Sequence, residues 1–348
     1  MNKKTAVWLA LALLVSCAAG AQQTNPESDF EARPVDGGRG VEITGYTGST
    51  WAVRIPPRIQ GLPVIAISGR AFFRHKSIIS VTIPNSVISI GDYAFRECTS
   101  LSSVTIGNGV TTIGEMAFYY CTSLSSVTIP NSVTTIGKMA FGSIRLTSIT
   151  IPASVTSIGV GAFGDVTTAI LVAPGSQFFS AIDGVLYDRT QSVLIQYPLE
   201  KSGDFAIPNS VTTIGDSAFF YRRSLSSVTI PNSVTTIGKE AFYECTSLSS
   251  VTIPNSVTTI GDSAFYGTGI TSVTIPASVI TIGRSAFSGT CITSVTFDRE
   301  GIILSTYPER NLFRGPFGGD LHAKYINGRA GTYTTDNPGN NAVWTKIR

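Results

Sequence analysis

Residues 246–265 read Thr-Ser-Leu-Ser-Ser-Val-Thr-Ile-Pro-Asn-Ser-Val-Thr-Thr-Ile-Gly-Asp-Ser-Ala-Phe. Leu248, Val251 and Ile253 fall on one side of an extended segment, with Thr252 turned the other way, as strand alternation requires. Pro254-Asn255 breaks the strand. Val257 and Ile260 place a second apolar pair inward, and Phe265 closes the unit as a core plug. Gly261 is expected to supply a turn that most side chains resist, and Asp262 to cap a short helical turn. One such unit cannot bury its own apolar edges, so the pattern predicts stacking on copies of itself.

The copies are present. The Phe of the Ala-Phe pair recurs at Phe72, Phe95, Phe118, Phe141, Phe163, Phe219, Phe242, Phe265 and Phe287, in steps of 22 or 23 residues except for one of 56. The position closing each Val-Thr-Ile stretch runs from Pro56 to Asp298 and shows one long step, of 34 residues, from Pro174 to Pro208. The spacing therefore predicts about eleven turns, one of which carries an insertion. A period of this length with Leu-x-x-Val-x-Ile spacing is the leucine-rich-repeat pattern. The expected fold is a strand-rich leucine-rich-repeat solenoid of stacked 22–23-residue turns, with short helical turns and irregular caps.

The expected organisation is a signal over 1–21, a polar linker over 22–40, and an N-terminal cap with the first turn over 41–62. A solenoid over 63–298 and a C-terminal cap over 299–348 complete it. Within the solenoid, 181–198 reads as an inserted hairpin, with Val185-Leu186-Tyr187 and Val193-Leu194-Ile195 flanking Asp188-Arg189-Thr190-Gln191. It either interrupts the stack without function or provides a protruding contact.

Lys3 and Lys4 followed by an apolar run to Ala21 form an export signal too short for a comfortable membrane span. Leu14-Val15-Ser16-Cys17 resembles the bacterial lipoprotein box, which would make Cys17 the acylated first residue. Ala19-Gly20-Ala21 offers the alternative of cleavage before Gln22 and simple secretion. Membrane contact is expected only through the anchor.

Charge narrows the partners. Of 25 Lys+Arg, two fall in the signal, leaving 23 against 22 Asp+Glu; this balance argues against a nucleic-acid binder. Four cysteines follow the signal: Cys98, Cys121, Cys245 and Cys291. Cys98 and Cys121 share a phase on adjacent turns and read either as a bridgeable pair or as buried thiols. No metal or cofactor spacing is present, and His75 and His322 lie far apart with no catalytic neighbours, so no enzyme is expected.

The units TSLxSVTIPxSVTxIGxxAF, the opening segment 53–72 and the interruption at 181–198 resemble the BspA-like branch of bacterial leucine-rich-repeat proteins. The tail with Gly331-Thr332-Tyr333-Thr334 and Trp344 looks like those of spirochaete members. The resemblance implies a cell-surface location at the outer membrane and adhesion to host matrix proteins, host cells or other bacteria, hence a part in virulence.

Ligand discrimination along a constant scaffold requires places where turns differ. After each Ala-Phe the text varies: Phe73-Arg74-His75-Lys76, Arg96-Glu97, Tyr119-Tyr120, Gly142-Ser143, Phe220-Tyr221-Arg222-Arg223, Tyr243-Glu244, Tyr266-Gly267. The first of these positions reads either as an aromatic ladder or as a contact. Tyr120, Tyr221, Arg222 and Arg223 are the expected ligand-binding residues, with Tyr119 and Tyr243 beside them. The Thr column (Thr82, Thr105, Thr128, Thr150, Thr229, Thr252, Thr274, Thr296) is either a polar contact strip or plain exposed strand. Protein binding is the leading expectation. Self-association into a coat is the alternative, and carbohydrate binding a weaker one, because Trp51 and Trp344 form no platform.

Overall fold

The computed structural model describes residues 23–305, then 317, 321, 325, 330–338 and 342–347. Cys17 and His322 lie outside the described residues. The chain is a β-solenoid of about eleven turns of about 23 residues. Among the described residues helix is limited to two 3-10 turns, Glu27–Asp29 and Asp36–Gly38, and to Leu321 and Tyr325 near the C-terminus.

Each turn has three sides, and each is held to its neighbours differently. The Thr-Ile side forms parallel ladders of two-residue strands. Ser89–Ile90, Thr112–Ile113, Thr135–Ile136 and Ser157–Ile158 pair in register, and so do Thr213–Ile214, Thr236–Ile237, Thr259–Ile260 and Thr281–Ile282. The Val-Thr-Ile side is less regular. Ala52–Arg54, Ser80–Thr82 and Ser103–Thr105 pair, then the ladder lapses before Ser148–Ile151 meets Ala169–Val172. The Thr column on this side faces solvent from Thr82 to Thr274, while Thr296 is half-buried beside Thr332.

The third side, Gly-x-x-Ala-Phe, contains no helical turn, contrary to the expectation from Asp262. Two residues per regular turn take left-handed φ instead, as Tyr93 (61°) and Glu97 (62°) do. Bonds from Ala94 N to Gly91 O and from Cys98 N to Phe95 O close successive tight turns. The backbone then pairs with the next turn at alternate residues: Tyr93 N to Glu115 O, Phe95 N to Ala117 O, Glu97 N to Tyr119 O. Asp262 caps the neighbouring turn: its Oδ1 accepts from Arg284 N at 2.7 Å and its carboxylate pairs with the Arg284 guanidinium at 2.6 Å.

Gly261 is required for a different reason than expected. Its φ is not left-handed; a Cβ there would lie 2.6 Å from Gly238 C and Lys239 N of the preceding turn. Turns approach too closely at this corner for a side chain.

The core is a column of aromatic rings. Phe72, Phe95, Phe118, Phe141 and Phe163 stack at centroid separations from 4.7 to 6.0 Å. Tyr46 caps the upper end, 5.6 Å from Phe72. A second column runs Tyr197, Phe219, Phe242, Phe265 and Phe287, ending on Phe317 at 4.8 Å. Such ring pairs contribute about 0.5–1.5 kcal/mol each beyond burial.

The ends differ from the sequence reading in one respect. The segment 22–40, expected as a polar linker, contains the strand Phe30–Val35, which pairs antiparallel with Gly40–Tyr46. Phe30 is buried against Tyr46, which anchors this segment to the first turn. At the other end Gly331–Thr334 pairs antiparallel with Ser294–Phe297, and Tyr333 and Trp344 are buried.

The insertion divides the core in two. It is a three-stranded meander, Phe179–Ile182, Val185–Asp188 and Val193–Gln196, one strand more than the expected hairpin. Its last strand pairs parallel with Thr213–Ile214, taking the place of a turn's Thr-Ile strand. From there only two residues separate Leu194 from Tyr197, whereas four separate Ile214 from Phe219. This turn is short by two residues on the Gly-x-x-Ala-Phe side.

Candidate functional site

That shortening opens a cleft of about 470 Å³ between the two halves. Its rims are aromatic: Tyr119 above, Phe220 and Tyr221 below. Gly142, Gly161 and Gly164 line the wall between them, with Ser143 and Asp165, and Gln196 and Ser217 face them.

The glycines explain the empty space. On either side of the cleft the residue after the core Phe carries a flat or cationic side chain that stacks on its neighbour. Arg96 lies 5.8 Å from the Phe73 ring and 5.6 Å from the Tyr119 ring. Phe220, Tyr243 and Tyr266 stack at 5.1 and 4.8 Å. Gly142 and Gly164 hold the same position in the two turns between, so the surface ladder stops at Tyr119 and resumes at Phe220.

The backbone ladder stops as well. Bonds from Met139 N to Val160 O and from Phe141 N to Ala162 O attach the turn 158–165 to the one above. The corresponding amides of Gly161, Phe163 and Asp165 have no partner in the turn below. Pairing resumes at the cleft's far end, with Leu199 N to Val166 O and Glu200 N to Thr167 O, and below it with Tyr197 N to Ala218 O.

Arg222 requires a correction. It was expected at the exposed edge, but it is 1% exposed. It occupies the phase of Cys98, Cys121 and Cys245, three residues after the core Phe. Those thiols donate to the carbonyls of Phe72, Phe95 and Phe219 in the preceding turns, at 3.0, 3.1 and 3.0 Å. Arg222 Nε donates to the matching carbonyl, Tyr197 O, at 2.6 Å, and Nη1 to Phe220 O at 2.7 Å. Nη2 is buried without a partner. Burial lowers its pKa to about 10, opposed by Asp165, so the group stays cationic at neutral pH.

The remaining expected residues separate into those at the cleft and those beside it. Tyr119 and Tyr221 line it. Tyr120 is exposed next to Tyr119, with rings 6.2 Å apart. Arg223 is exposed over the Tyr221 ring at 5.1 Å, with its Nη2 3.5 Å from Glu244. Tyr243 is half-buried between Phe220 and Tyr266, and burial raises its pKa. Cys98 and Cys121 are unbonded thiols, as is Cys245. Asp165, Gln196 and Ser217 were not anticipated. Their signal was the pair of glycines where other turns carry rings.

Among curated proteins, none matches the chain. Solved structures do. A leucine-rich repeat protein from Eubacterium ventriosum is 28% identical, with a TM-score of 0.68, covering 79% of this chain and 78% of that one. The pneumococcal vaccine antigen PcpA is 22% identical, with a TM-score of 0.61 over 78% of this chain and 80% of its own, a likeness of fold alone. A family model for the BspA type leucine rich repeat region matches six copies, over residues 63–177 and 199–308. The two matched stretches flank the insertion and together span more than half of the chain, which therefore belongs to the BspA-type leucine-rich-repeat family.

Proposed function

We propose that this protein is an exported adhesin, a non-catalytic scaffold that presents its Ala-Phe edge to proteins of host matrix, host cells or neighbouring bacteria. The observation that carries the reading is the composition of that edge. Tyr120 (48% exposed), Tyr221 (38%) and Arg223 stand out on a scaffold whose other surfaces repeat nearly unchanged. Tyr and Arg are the residues most enriched where binding energy concentrates. The leucine-rich solenoid is a scaffold type of fold, and the reading assigns it no cofactor. Anchoring through an acylated Cys17 belongs to the same proposal, and mature protein beginning at Gln22 would refute that part.

The test is binding of the chain from Gln22 to surface-coated matrix proteins and to host cells. Replacing Tyr120, Tyr221 and Arg223 together by Ala should weaken binding by about tenfold or more with little change in Tm, since exposed substitutions cost within about 0.5 kcal/mol each. The control changes Thr229, Thr252 and Thr274 to Ser. Loss in the control with retention in the edge variant would move the binding face to the Thr column. Self-association is settled by sedimentation: a monomer at high micromolar concentration removes the coat reading.

A further inference from the structure

We infer that the cleft between Tyr119 and Phe220 binds a neutral glycan, with sugar rings against the rim aromatics and hydroxyls on the Gln196 amide and the Asp165 carboxylate. This adds a second class of ligand to the protein-binding reading and does not depend on it.

The observation that carries it is Gln196. It immediately precedes the core ring Tyr197, the position that alanine holds before each core Phe, as Ala94, Ala140, Ala218 and Ala241 do. Those four alanines are fully buried, and Gln196 is only 3% exposed. Its side chain lines the cleft, and among the described residues its amide has no hydrogen-bond partner. Packing at this position is met by a methyl group in the other turns. A buried amide without a partner is a cost to the fold, which a ligand that completes its hydrogen bonds removes.

The rest of the lining defines that ligand. Asp165 stands on the facing wall, and among the described residues its carboxylate has no hydrogen-bond or ion-pair partner either. A carboxylate only accepts, whereas the amide both donates and accepts, as do the hydroxyls of Ser143 and Ser217. The matching ligand therefore donates at some points and accepts at others, and carries an apolar face for Tyr119, Phe220 and Tyr221. A sugar ring has both: adjacent hydroxyls that donate and accept, and a C–H face. The cleft volume of about 470 Å³ lies in the range of small-molecule sites.

Charge and burial exclude the competitors. Asp165 is the one charged group among the lining residues, so an acidic sugar or a nucleotide phosphate would meet like charge and no cation. An added peptide strand would need the amide of Phe163, the middle residue of the open edge, and Phe163 is fully buried.

The structure also supplies two variants. A Cβ on Gly164 meets its nearest atom at 3.5 Å, an ordinary contact, and its φ is not left-handed, so Gly164→Tyr would fill the cleft with a ring. Gln196→Leu adds no bulk and removes only the amide, so it tests the site independently of any disturbance of the wall. The experiment titrates the chain from Gln22 with neutral di- and trisaccharides of glucose, galactose, mannose and N-acetylglucosamine, and with their sialylated and sulfated counterparts, by calorimetry and saturation-transfer NMR.

At least one neutral sugar should bind, with saturation strongest on its ring C–H protons, and its acidic counterparts should bind at least about tenfold more weakly. Each variant should weaken binding by about tenfold or more. The Gln196→Leu chain should melt at or above the parent, because no hydrogen bond within the protein is lost. Absence of binding by every neutral sugar at millimolar concentration overturns the inference. So does sugar binding that both variants retain, which would place the site elsewhere, or acidic sugars that bind as tightly as neutral ones. A Gln196→Leu chain that melts well below the parent and binds sugar unchanged would make Gln196 a structural residue and overturn it too.

Discussion

Arg222 Nε donates to the carbonyl of Tyr197 at 2.6 Å, filling at the break the place that a cysteine Sγ fills elsewhere. Thiols suffice where the acceptor lies one regular turn away. Below the insertion two carbonyls must be met, because the preceding turn has no amide bonded to Phe220 O. The guanidinium reaches both. Arg222→Met keeps much of the volume and removes both donors. It should cost about 1–3 kcal/mol in denaturant unfolding, the penalty of leaving buried carbonyls unpaired. No loss at all would mean that releasing the buried, partly unpartnered cation offsets both bonds.

The corner glycines should be intolerant and the cleft glycine tolerant. Gly261→Ala drives a Cβ to 2.6 Å from two backbone atoms of the preceding turn, and backbone cannot give way without unstacking. Overpacking of this kind costs about 1–3 kcal/mol. Gly164→Ala meets nothing nearer than 3.5 Å and should stay within about 0.5 kcal/mol. Thermal melts of the two variants decide it, and equal losses would contradict the close-approach explanation.

The repeat made the solenoid legible because stability in such folds lies between identical neighbours, so Phe72 to Phe287 announced the core column directly. The conformation inside the turns was less legible. Asp262 and Gly261 looked like a helix cap and a left-handed turn, yet both act on the adjacent turn, a relationship that no single unit displays. The site was half visible. Tyr119 and Tyr221 could be chosen as variable aromatics, but the cleft between them follows from missing side chains at Gly142 and Gly164 and from a turn two residues short. Arg222 was misplaced because its neighbours in sequence are surface residues, while its phase is that of the buried cysteines.

Thiol chemistry should report the cysteine column. Burial pushes Cys98 and Cys245 up to about 12 and raises Cys121 as well, so none is a thiolate near neutrality. Cys291 is exposed. Alkylation of the native chain from Gln22 at about pH 8 should modify Cys291 alone, and unfolding should release the other three. Native labelling of Cys98 or Cys121 would show that the column opens.

Acid should loosen the upper end first. His75 heads the cysteine column, with its ring 5.2 Å from Tyr46, and burial lowers its pKa below 6.5. The folded state therefore favours the neutral ring, while the unfolded chain takes up a proton near 6.5. Its stability contribution is complete above that pH and is lost as pH falls toward the depressed folded value. His75→Gln should flatten the decline of Tm in this window. An unchanged slope would place the acid sensitivity elsewhere.

Register should matter more to this chain than length. Deleting residues 246–268 removes one full turn and joins Cys245 to Gly269, so that the apolar columns on both sides still meet in phase. The Phe242 ring would lose Phe265, 5.1 Å away, and gain the equivalent face of Phe287. Phe242→Asp keeps the length but puts a carboxylate at a fully buried position between two rings, Phe219 at 4.8 Å and Phe265. No donor column runs there, so the charge would be unpaired, at a cost well above that of losing one repeat from a nearest-neighbour stack. The deletion should therefore melt close to the parent, whereas the substitution should unfold the lower half or the whole chain. Equal loss in the two variants would mean that stability is not carried by nearest-neighbour stacking of turns.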